Sequence, residues 1–410
     1  ALRWTWECGW VPEAESPWLS AALEAHPELA EAPALCILPP LWDHHGHVYW
    51  FGALMEQADL RGARSPQEAL ARLVSVAEAL PLDAWLEGFG WDQNLWGGLP
   101  SRTLLDEAFP SRPCYLRRID GHSGWANAEA LRRAGVAEET RDPEGGAFLR
   151  EGGRLSGFCL DRAMEVVAAA VPVPDGETVR RRIRKALVRL AEAGLSGVTD
   201  MGLEPEHVGA MKSLDEGAGL PVPVEGHLWI RDVSTDPGEP YDGRSFRLAG
   251  CKFFADGALG SRGAALFEGY ADDPGNRGLA LWEAAPLAEK VRQTAGRGFR
   301  PAIHAIGDRA CAAVLDALEL SGCSSQARIE HLQVIGNEDL MRMKRLGATA
   351  SIQPCHFLSD SSWAEARLGH RVPLAYRAGS ICRAGVPLLL GTDFPIEVPD
   401  PWRNFHACAS

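Results

Sequence analysis

The sequence contains little lysine and no excess of basic charge. Only five of its 410 residues are lysines, whereas arginine is abundant, and the formal net charge at pH 7 is -14. Nucleic acids and anionic membranes attract basic surfaces, so this balance argues against both as partners. Apolar runs that approach the roughly 20 residues of a membrane-spanning helix are also missing.

The sequence also shows neither a CxxC cysteine pair nor the pattern of a targeting signal. The ten cysteines are scattered without a CxxC pair, and Cys36 and Cys251 lie inside apolar runs, as small buried side chains do. The first residues lack the basic-then-apolar order of a secretory signal. We therefore expect a cytoplasmic protein whose cysteines stay reduced.

The remaining composition is that of an ordinary globular protein. Hydrophobic residues make up 46% of the chain and charged residues 23%. The chain is longer than one average domain. Its length nevertheless suits a single large α/β barrel with an insertion, because such barrels run from ~200 to over 400 residues.

A histidine-rich stretch follows an apolar run near the start of the chain. Residues 34–38 are short, continuous and apolar, which predicts a buried strand. His45 and His47 come after this run, and residues two apart in a strand point to the same face. Two imidazoles aimed at one point suit a metal such as zinc. The alternative is a polar turn that only happens to contain histidines.

Strand-like and helical segments alternate in the second half of the chain. The strand candidates are residues 195–199, 222–228, 248–254, 301–304, 327–331, 348–353 and 387–392. The helical candidates between them include residues 284–296, 308–320 and 337–346. Such alternation predicts parallel β/α units, and the first strand completes a set of eight. The predicted fold is therefore an α/β protein of the (β/α)8 TIM-barrel class.

A long segment after the first strand, about residues 48–190, is predicted to be an insertion on the catalytic face. Within it, residues 66–79 predict an amphipathic helix with Ser65 as its N-cap, and residues 175–193 predict a second helix. Short strands are expected at residues 85–90 and 114–118. Residues 1–35 show no regular pattern and predict an irregular N-terminal segment.

Polar side chains stand at or near the ends of the predicted barrel strands, where enzymes of this class carry their active sites. They are His45, His47, Lys252, His304, His331, Gln353, His356 and Asp393. Each alone has an ordinary explanation, since a lysine can snorkel, a histidine can pack and an aspartate can cap a turn. A barrel would bring all of them together, and a central lysine is costly unless it is used or paired. Jointly they predict a metal centre.

These residues stand in motifs that resemble the amidohydrolase superfamily, and within it the metal-dependent hydrolases called YtcJ-like or amidohydrolase family 3. The matching segments are DHHGH at 43–47, GFGWD at 88–92, DGH at 120–122, Lys252 with DGALGSR at 256–262, HAIGD at 304–308, RIEH at 328–331, SIQP at 351–354 and GTD at 391–393. As a set they are specific, whereas any single one, including the HxH, is not. The resemblance covers about residues 36–401.

The resemblance implies one or two divalent metal ions, with zinc expected. His45 and His47 would bind the more buried ion. His304 and His331 would bind a second ion or complete the site of a single one. Asp393 would be a ligand that also accepts the proton of the attacking water, which makes Asp393, His304 and His331 the expected catalytic residues.

Lys252 occupies the position that is carbamylated in several members of the superfamily, where it bridges two metals. The resemblance also implies a small β-sandwich next to the barrel. Here that sandwich is expected to be reduced or missing, with residues 1–35 as its remnant and residues 36–410 forming the barrel with its insertion. The alternative is that these 410 residues are an incomplete version of the protein.

The expected activity is hydrolysis of an amide or other C–N bond of a small molecule by metal-activated water. The residues expected to contact the substrate are Trp91, His122, Asp256, Arg262 and His356. An ester or lactone hydrolase, an inactive relative that serves as a binding protein, and an aldolase that uses Lys252 as a Schiff base are the open alternatives. A homodimer is also left open.

Overall fold

The computed structural model describes residues 2–5, 9–12, 24, 40–118, 123–143 and 145–409. The chain divides into two compact units. We call Ala1–His47 with Leu187–Ser410 the barrel unit, and Val48–Ala186 the insertion unit. Within the described ranges, no helix is both long enough and apolar enough to cross a membrane.

Parallel strands form the sheet of the barrel unit. They are β1 (Trp42–Gly46), β2 (Gly197–Leu203), β3 (Val224–Trp229), β4 (Phe246–Phe254), β5 (Arg300–Ala305), β6 (Arg328–His331), β7 (Thr349–Ile352) and β8 (Leu388–Leu390). Each strand pairs with the next one along the chain. A short strand at Tyr241–Asp242 pairs antiparallel with β4.

The sheet closes on itself where the segment after β8 meets β1. The amide of His47 donates to the carbonyl of Phe394 at 2.8 Å, and the amide of Asp393 donates to the carbonyl of His45 at 2.7 Å. Gly46 and Phe394 form a parallel bridge between these bonds. The predicted (β/α)8 barrel with a long insertion after its first strand is thereby confirmed.

Helices follow most of the later strands and bury one face. In the barrel unit they span Pro205–Glu216, Ala284–Gly296, Asp308–Ser321, Asn337–Leu346, Cys355–Asp360, Ala364–Leu368, Ala378–Ala384 and Pro401–Ala409, with 3₁₀ turns at Ser324–Gln326 and Gly369–Leu374. Asp308–Ser321 buries Val314, Leu315 and Leu318 and ends at Gly322, whose φ of 71° suits glycine. The helix Gly176–Glu192 runs from the insertion unit into the barrel unit.

The insertion unit has a mixed sheet of its own. Its strands, in spatial order, are Ala58–Asp59, Leu86–Trp91, Cys114–Arg118, Ser123–Ala126, Arg154–Asp161 and Gly146–Glu151. Its helices are Val48–Leu54, Pro66–Glu78, Thr103–Ala108, Ala128–Arg133 and Arg162–Ala168, with a 3₁₀ turn at Gln93–Leu95. The predicted N-cap is present, because the hydroxyl of Ser65 accepts the amide of Glu68 at 3.1 Å.

Two expectations about strands differ from the structure, and a third falls outside the residues that it describes. The predicted strand at residues 34–38 lies outside the described residues, and β1 contains His44 and His45 themselves. Leu2–Thr5 and Gly9–Pro12 pair antiparallel in the segment expected to be irregular. The strand expected at residues 195–199 begins at Gly197 and runs on to Leu203, with Thr199 and Asp200 buried within it.

Candidate metal centre

Donor atoms from distant parts of the sequence converge at one end of the barrel. His45, His47 and Asp393 offer ligand atoms that all lie within 4.8 Å of one another, and so do His331, His356 and Asp393. Asp393 belongs to both groups. Its Oδ1 lies 3.1 Å from His47 Nε2 and 3.6 Å from His45 Nε2, while its Oδ2 lies 3.2 Å from His356 Nε2. The ends of β1, β6, β7 and β8 thus meet at one carboxylate.

Two of these residues have unusual backbone conformations. Asp393 and His331 have φ values of 60° and 75°, in the left-handed region that residues other than glycine rarely adopt. Such conformations cost on the order of 1–3 kcal/mol and persist where the surrounding structure fixes them. Here they occur at the points where β6 and β8 end and the ligand side chains turn inward.

Charge and burial in this cluster favour the forms that bind cations. Burial and the nearby Lys252 lower the pKa of His45 to about 4, and burial with neighbouring histidines holds the pKa of His331 well below its usual range. Burial alone would raise the pKa of Asp393, but His45, His356 and His47 outweigh it and lower the pKa. Neutral imidazoles beside a carboxylate are the ligands that divalent metals need.

Buried atoms without partners support the same interpretation. Within the described part of the chain, Asp393 Oδ1 and His331 Nδ1 are buried and form no hydrogen bond. Unsatisfied buried polar atoms are rare in folded proteins and need an explanation. A divalent cation held by either donor group would coordinate the Asp393 carboxylate, so these residues fit a metal.

Lys252 lies in the barrel interior and is completely buried. Its Nζ is 5.0 Å from the centre of the Phe254 ring and has no hydrogen-bond partner among the described residues. Burial lowers the pKa of this amine to about 8, although Glu330 and Asp393 oppose the shift. Lys252 is in neither donor group, so its predicted role as a ligand stays a prediction.

His304 lies beside the donor groups rather than within them. Its ring centre is 4.5 Å from that of His331, while its Nε2 is 3.3 Å from Asp256 Oδ1 and 3.5 Å from the carbonyl of Gly257. Its predicted metal contact therefore also stays a prediction.

Asp256 forms structural contacts, and its expected contact with substrate stays a prediction. Its carboxylate is buried and accepts the amides of Ala265, Ile306 and Gly307 at 2.8–3.0 Å. These bonds tie the loops after β4 and β5 together.

The other residues expected to bind substrate are dispersed. Trp91 is completely buried in the core of the insertion unit, where its indole donates to the carbonyl of Leu116 at 2.8 Å. Its expected contact with substrate stays a prediction. Arg262 pairs with Asp272 at 2.9 Å. His122 lies outside the described residues. Of the four that the structure describes, only His356 belongs to a donor group.

Two buried carboxylates of the site were not singled out from the sequence. Asp43 accepts hydrogen bonds from the amides of His45 and Thr392. Glu330 lies 2.6 Å from His45 Nδ1 and is completely buried. The signal that could have found them is a charged residue inside a strand that is otherwise expected to be buried.

Comparisons with known proteins agree with this geometry. The YtcJ protein of Bacillus subtilis (strain 168) is 32% identical over 377 residues, which cover 89% of this chain and 71% of that protein. The crystal structure of an uncharacterized metal-dependent hydrolase from Pyrococcus horikoshii superposes with a TM-score of 0.78 at 28% identity, covering 95% of this chain and 78% of that one.

An N-substituted formamide deformylase of Arthrobacter pascens is 23% identical over 353 residues, which cover 80% of this chain and 64% of that enzyme. Residues 35–410, nearly the whole chain, match the sequence profile of one family. The chain belongs to the amidohydrolase family, as its motifs predict.

Proposed function

We propose that the barrel unit is a metal-dependent hydrolase that cleaves an amide or related C–N bond of a small molecule. The proposal rests on the convergence of His45, His47 and Asp393, whose ligand atoms lie within 4.8 Å of one another. The two histidines belong to the first strand and the turn after it, and Asp393 follows the last strand. The similar structure from Pyrococcus horikoshii is named a metal-dependent hydrolase. The similar Arthrobacter enzyme is named for its action on N-substituted formamides, which contain the proposed bond.

His45, His47 and Asp393 would hold one ion, and His331 and His356 would hold a second one that shares Asp393. Zinc is our first choice because nitrogen and carboxylate donors suit it. A divalent ion supplies activated water near neutral pH and polarises the substrate carbonyl. The predicted contacts of His304 and Lys252 would complete the site of the second ion.

Asp393 is the proposed proton carrier. Its Oδ2 is held by His356 Nε2, whereas its buried Oδ1 forms no hydrogen bond within the described part of the chain. Although burial lowers the pKa of His356, the bond to Asp393 and the charge of that carboxylate raise it. Without an ion, His356 therefore favours a proton on the nitrogen that faces Oδ2, and it would release this proton on binding the second ion. Asp393 Oδ1 stays available to accept a proton from water and to deliver it to the leaving nitrogen.

His304 and His331 are proposed to act on the substrate carbonyl. If a single ion is bound by His45, His47 and Asp393, a ring N–H of neutral His304 or His331 can donate to the oxyanion that develops when water adds to that carbonyl. Their rings lie 4.5 Å apart, centre to centre, at the ends of β5 and β6.

We further propose that Lys252 becomes carbamylated. The ammonium would first lose a proton to water. The neutral amine would then form an N–C bond to carbon dioxide and release a second proton to water, which leaves an anionic ligand. Burial favours the neutral amine that this reaction needs. An increase in intact mass by one carbon dioxide supports the assignment, and an unmodified amine in metal-loaded crystals overturns it.

The test is metal analysis of protein purified without chelator, followed by assays on N-substituted formamides and on esters of matched shape. We expect bound zinc, hydrolysis of the formamides, loss of activity with a chelator and recovery after zinc is restored. Hydrolysis of the esters alone would assign the alternative ester or lactone activity. Metal-free protein without hydrolytic activity would overturn the proposal. Trapping of a carbonyl substrate on Lys252 by borohydride, without need for metal, would favour the aldolase.

A cytoplasmic location and a homodimer stay predictions from the sequence.

A further inference from the structure

The barrel interior contains a buried ion pair on β6. Interiors of this class are usually filled by bulky branched apolar side chains. In this barrel, Arg328 and Glu330 occupy alternate positions of β6, and they are 7% and 0% exposed. Residues two apart in a strand share a face, so the two side chains lie next to each other.

The carboxylate of Glu330 is bonded on two sides. Its Oε1 accepts Arg328 Nε at 2.5 Å, and its Oε2 lies 2.6 Å from His45 Nδ1. Arg328 is fixed in turn, because it donates to the carbonyl of His44 at 2.6 Å and to the hydroxyl of Ser351 at 2.7 Å. Contacts from β1 and β7 thus hold the pair on β6 in one geometry.

This geometry determines which nitrogen of His45 carries the proton. An ionised carboxylate only accepts hydrogen bonds, so the bond to Glu330 requires a proton on His45 Nδ1. In the neutral ring, Nε2 then has a free lone pair. That nitrogen lies 3.6 Å from Asp393 Oδ1, on the side of the proposed metal.

A gain in folding stability is a weak explanation for a buried ion pair such as Arg328 and Glu330. Replacing a buried ion pair by well-packed apolar residues is often neutral or stabilising, since both charges must be desolvated. A carboxylate that orients a metal-binding histidine, in contrast, typically contributes 10–100-fold to metal affinity.

We propose that Glu330 is a positioning residue that fixes His45 in the tautomer with Nε2 toward the metal, and that Arg328 holds the Glu330 carboxylate in place. The proposal rests on the proposed function for the identity of the site. Glu330 itself belongs to neither donor group, so it acts through His45.

The first test compares zinc affinity between Glu330→Gln and a matched control, Glu225→Gln. Glu225 is also a buried barrel carboxylate that contacts a histidine and two arginines, but its partners His227, Arg247 and Arg300 are not proposed ligands. We expect a 10–100-fold loss of affinity for E330Q in competition with a chromophoric chelator, and a change below about threefold for E225Q. Thermal melting of both variants shows whether they are folded.

The second test needs no metal. In the wild-type apoprotein, ¹⁵N spectra of the histidine rings should show a proton on Nδ1 of His45. In E330Q the side-chain amide can either accept or donate, so we expect a mixture of tautomers. The signal is assigned by its loss in His45→Gln.

The outcomes separate the two proposals. If the wild-type protein binds no zinc, the proposed function fails, and the tautomer of His45 still decides the role of Glu330. If the wild-type protein binds zinc and E330Q binds it equally well with an unchanged tautomer, the role of Glu330 is overturned. Should E330Q fail to fold, Arg328→Gln replaces it. We then expect a smaller loss of zinc affinity, and unchanged affinity overturns the proposal.

Discussion

The carboxylate of Asp43 on β1 accepts two hydrogen bonds from Thr392, one from its amide at 3.0 Å and one from its hydroxyl at 2.6 Å. It also accepts the amide of His45 at 3.1 Å. Thr392 directly precedes Asp393. A single buried side chain therefore connects the two segments that supply His45 and Asp393 to the site.

Removing this connection should destabilise the barrel. Asp43→Ala leaves two amides and a hydroxyl unpaired in a buried environment, and each such loss costs about 1–3 kcal/mol. We expect a clear drop in melting temperature together with weaker metal binding. The control is Asp232→Ala, which removes a carboxylate that accepts similar bonds from Ser234 and Thr235 in an exposed loop. Equal effects of the two substitutions would contradict the prediction.

Asp393→Asn should separate proton transfer from folding. The amide cannot accept and deliver the proton, so we expect kcat to fall by about 10²–10⁴. The measurements are steady-state kinetics, metal content and thermal melting of the same preparation. Activity close to that of the wild-type enzyme, at full metal occupancy, would rule out the role of Asp393 as proton carrier.

Gly391 should tolerate no side chain. A Cβ there would lie 2.4 Å from the amide nitrogen and 2.5 Å from the Cβ of His45, so β1 and β8 would have to move apart. We expect Gly391→Ala to lower both the melting temperature and the zinc affinity. The matched control is Gly209→Ala, because Gly209 lies within the helix Pro205–Glu216 and a Cβ there meets nothing within 4 Å. That variant should melt at the same or a higher temperature.

Glu225 should make the barrel sensitive to acid. Burial raises its pKa, but His227 and the guanidinium groups of Arg300 and Arg247 outweigh it and lower the pKa below the ordinary value of 4.5. A depressed pKa contributes stability above the unfolded-state value, and this contribution disappears as the pH falls further. Stability measured from pH 6 downward should therefore fall less steeply below about pH 4.5 in E225Q. Identical slopes would contradict the assignment.

Asn127 should hold the insertion unit together. Its buried Oδ1 accepts the amides of Cys114 and Ala130, both at 2.9 Å, and its Nδ2 donates to the carbonyls of Phe109 and Arg112. Asn127→Ala leaves these four groups unpaired, so we expect faster hydrogen exchange and proteolysis within Val48–Ala186. Asn127→Asp should have a similar effect, because a carboxylate cannot donate to the two carbonyls.

The barrel strands could be predicted because a buried parallel strand is a continuous apolar run. Residues 284–296 and 337–346 form helices with the predicted ends. In the insertion unit, the sequence predictions do not include the hairpin formed by Gly146–Glu151 and Arg154–Asp161. Gly152 and Gly153, with φ values of 58° and 80°, are the two-glycine turn that indicates such a hairpin.

The convergence of His45, His47 and Asp393 could be predicted from the HxH spacing and the strand ends. The contacts of Asp43 and Glu330 could not. They join residues 349 and 285 positions apart, and they depend on the register at which the barrel closes. No local pattern in the sequence encodes that register. The packing of Trp91 likewise depends on neighbours that only the folded insertion unit provides.

The bonds that close the barrel involve the backbones of His45, His47 and Asp393, whose side chains are the proposed ligands. The first and the last strand must therefore have joined before a cation finds its full coordination. A nascent chain would lack the site until β8 has emerged. A bound ion would connect the first strand with the segment after the last strand and oppose their separation.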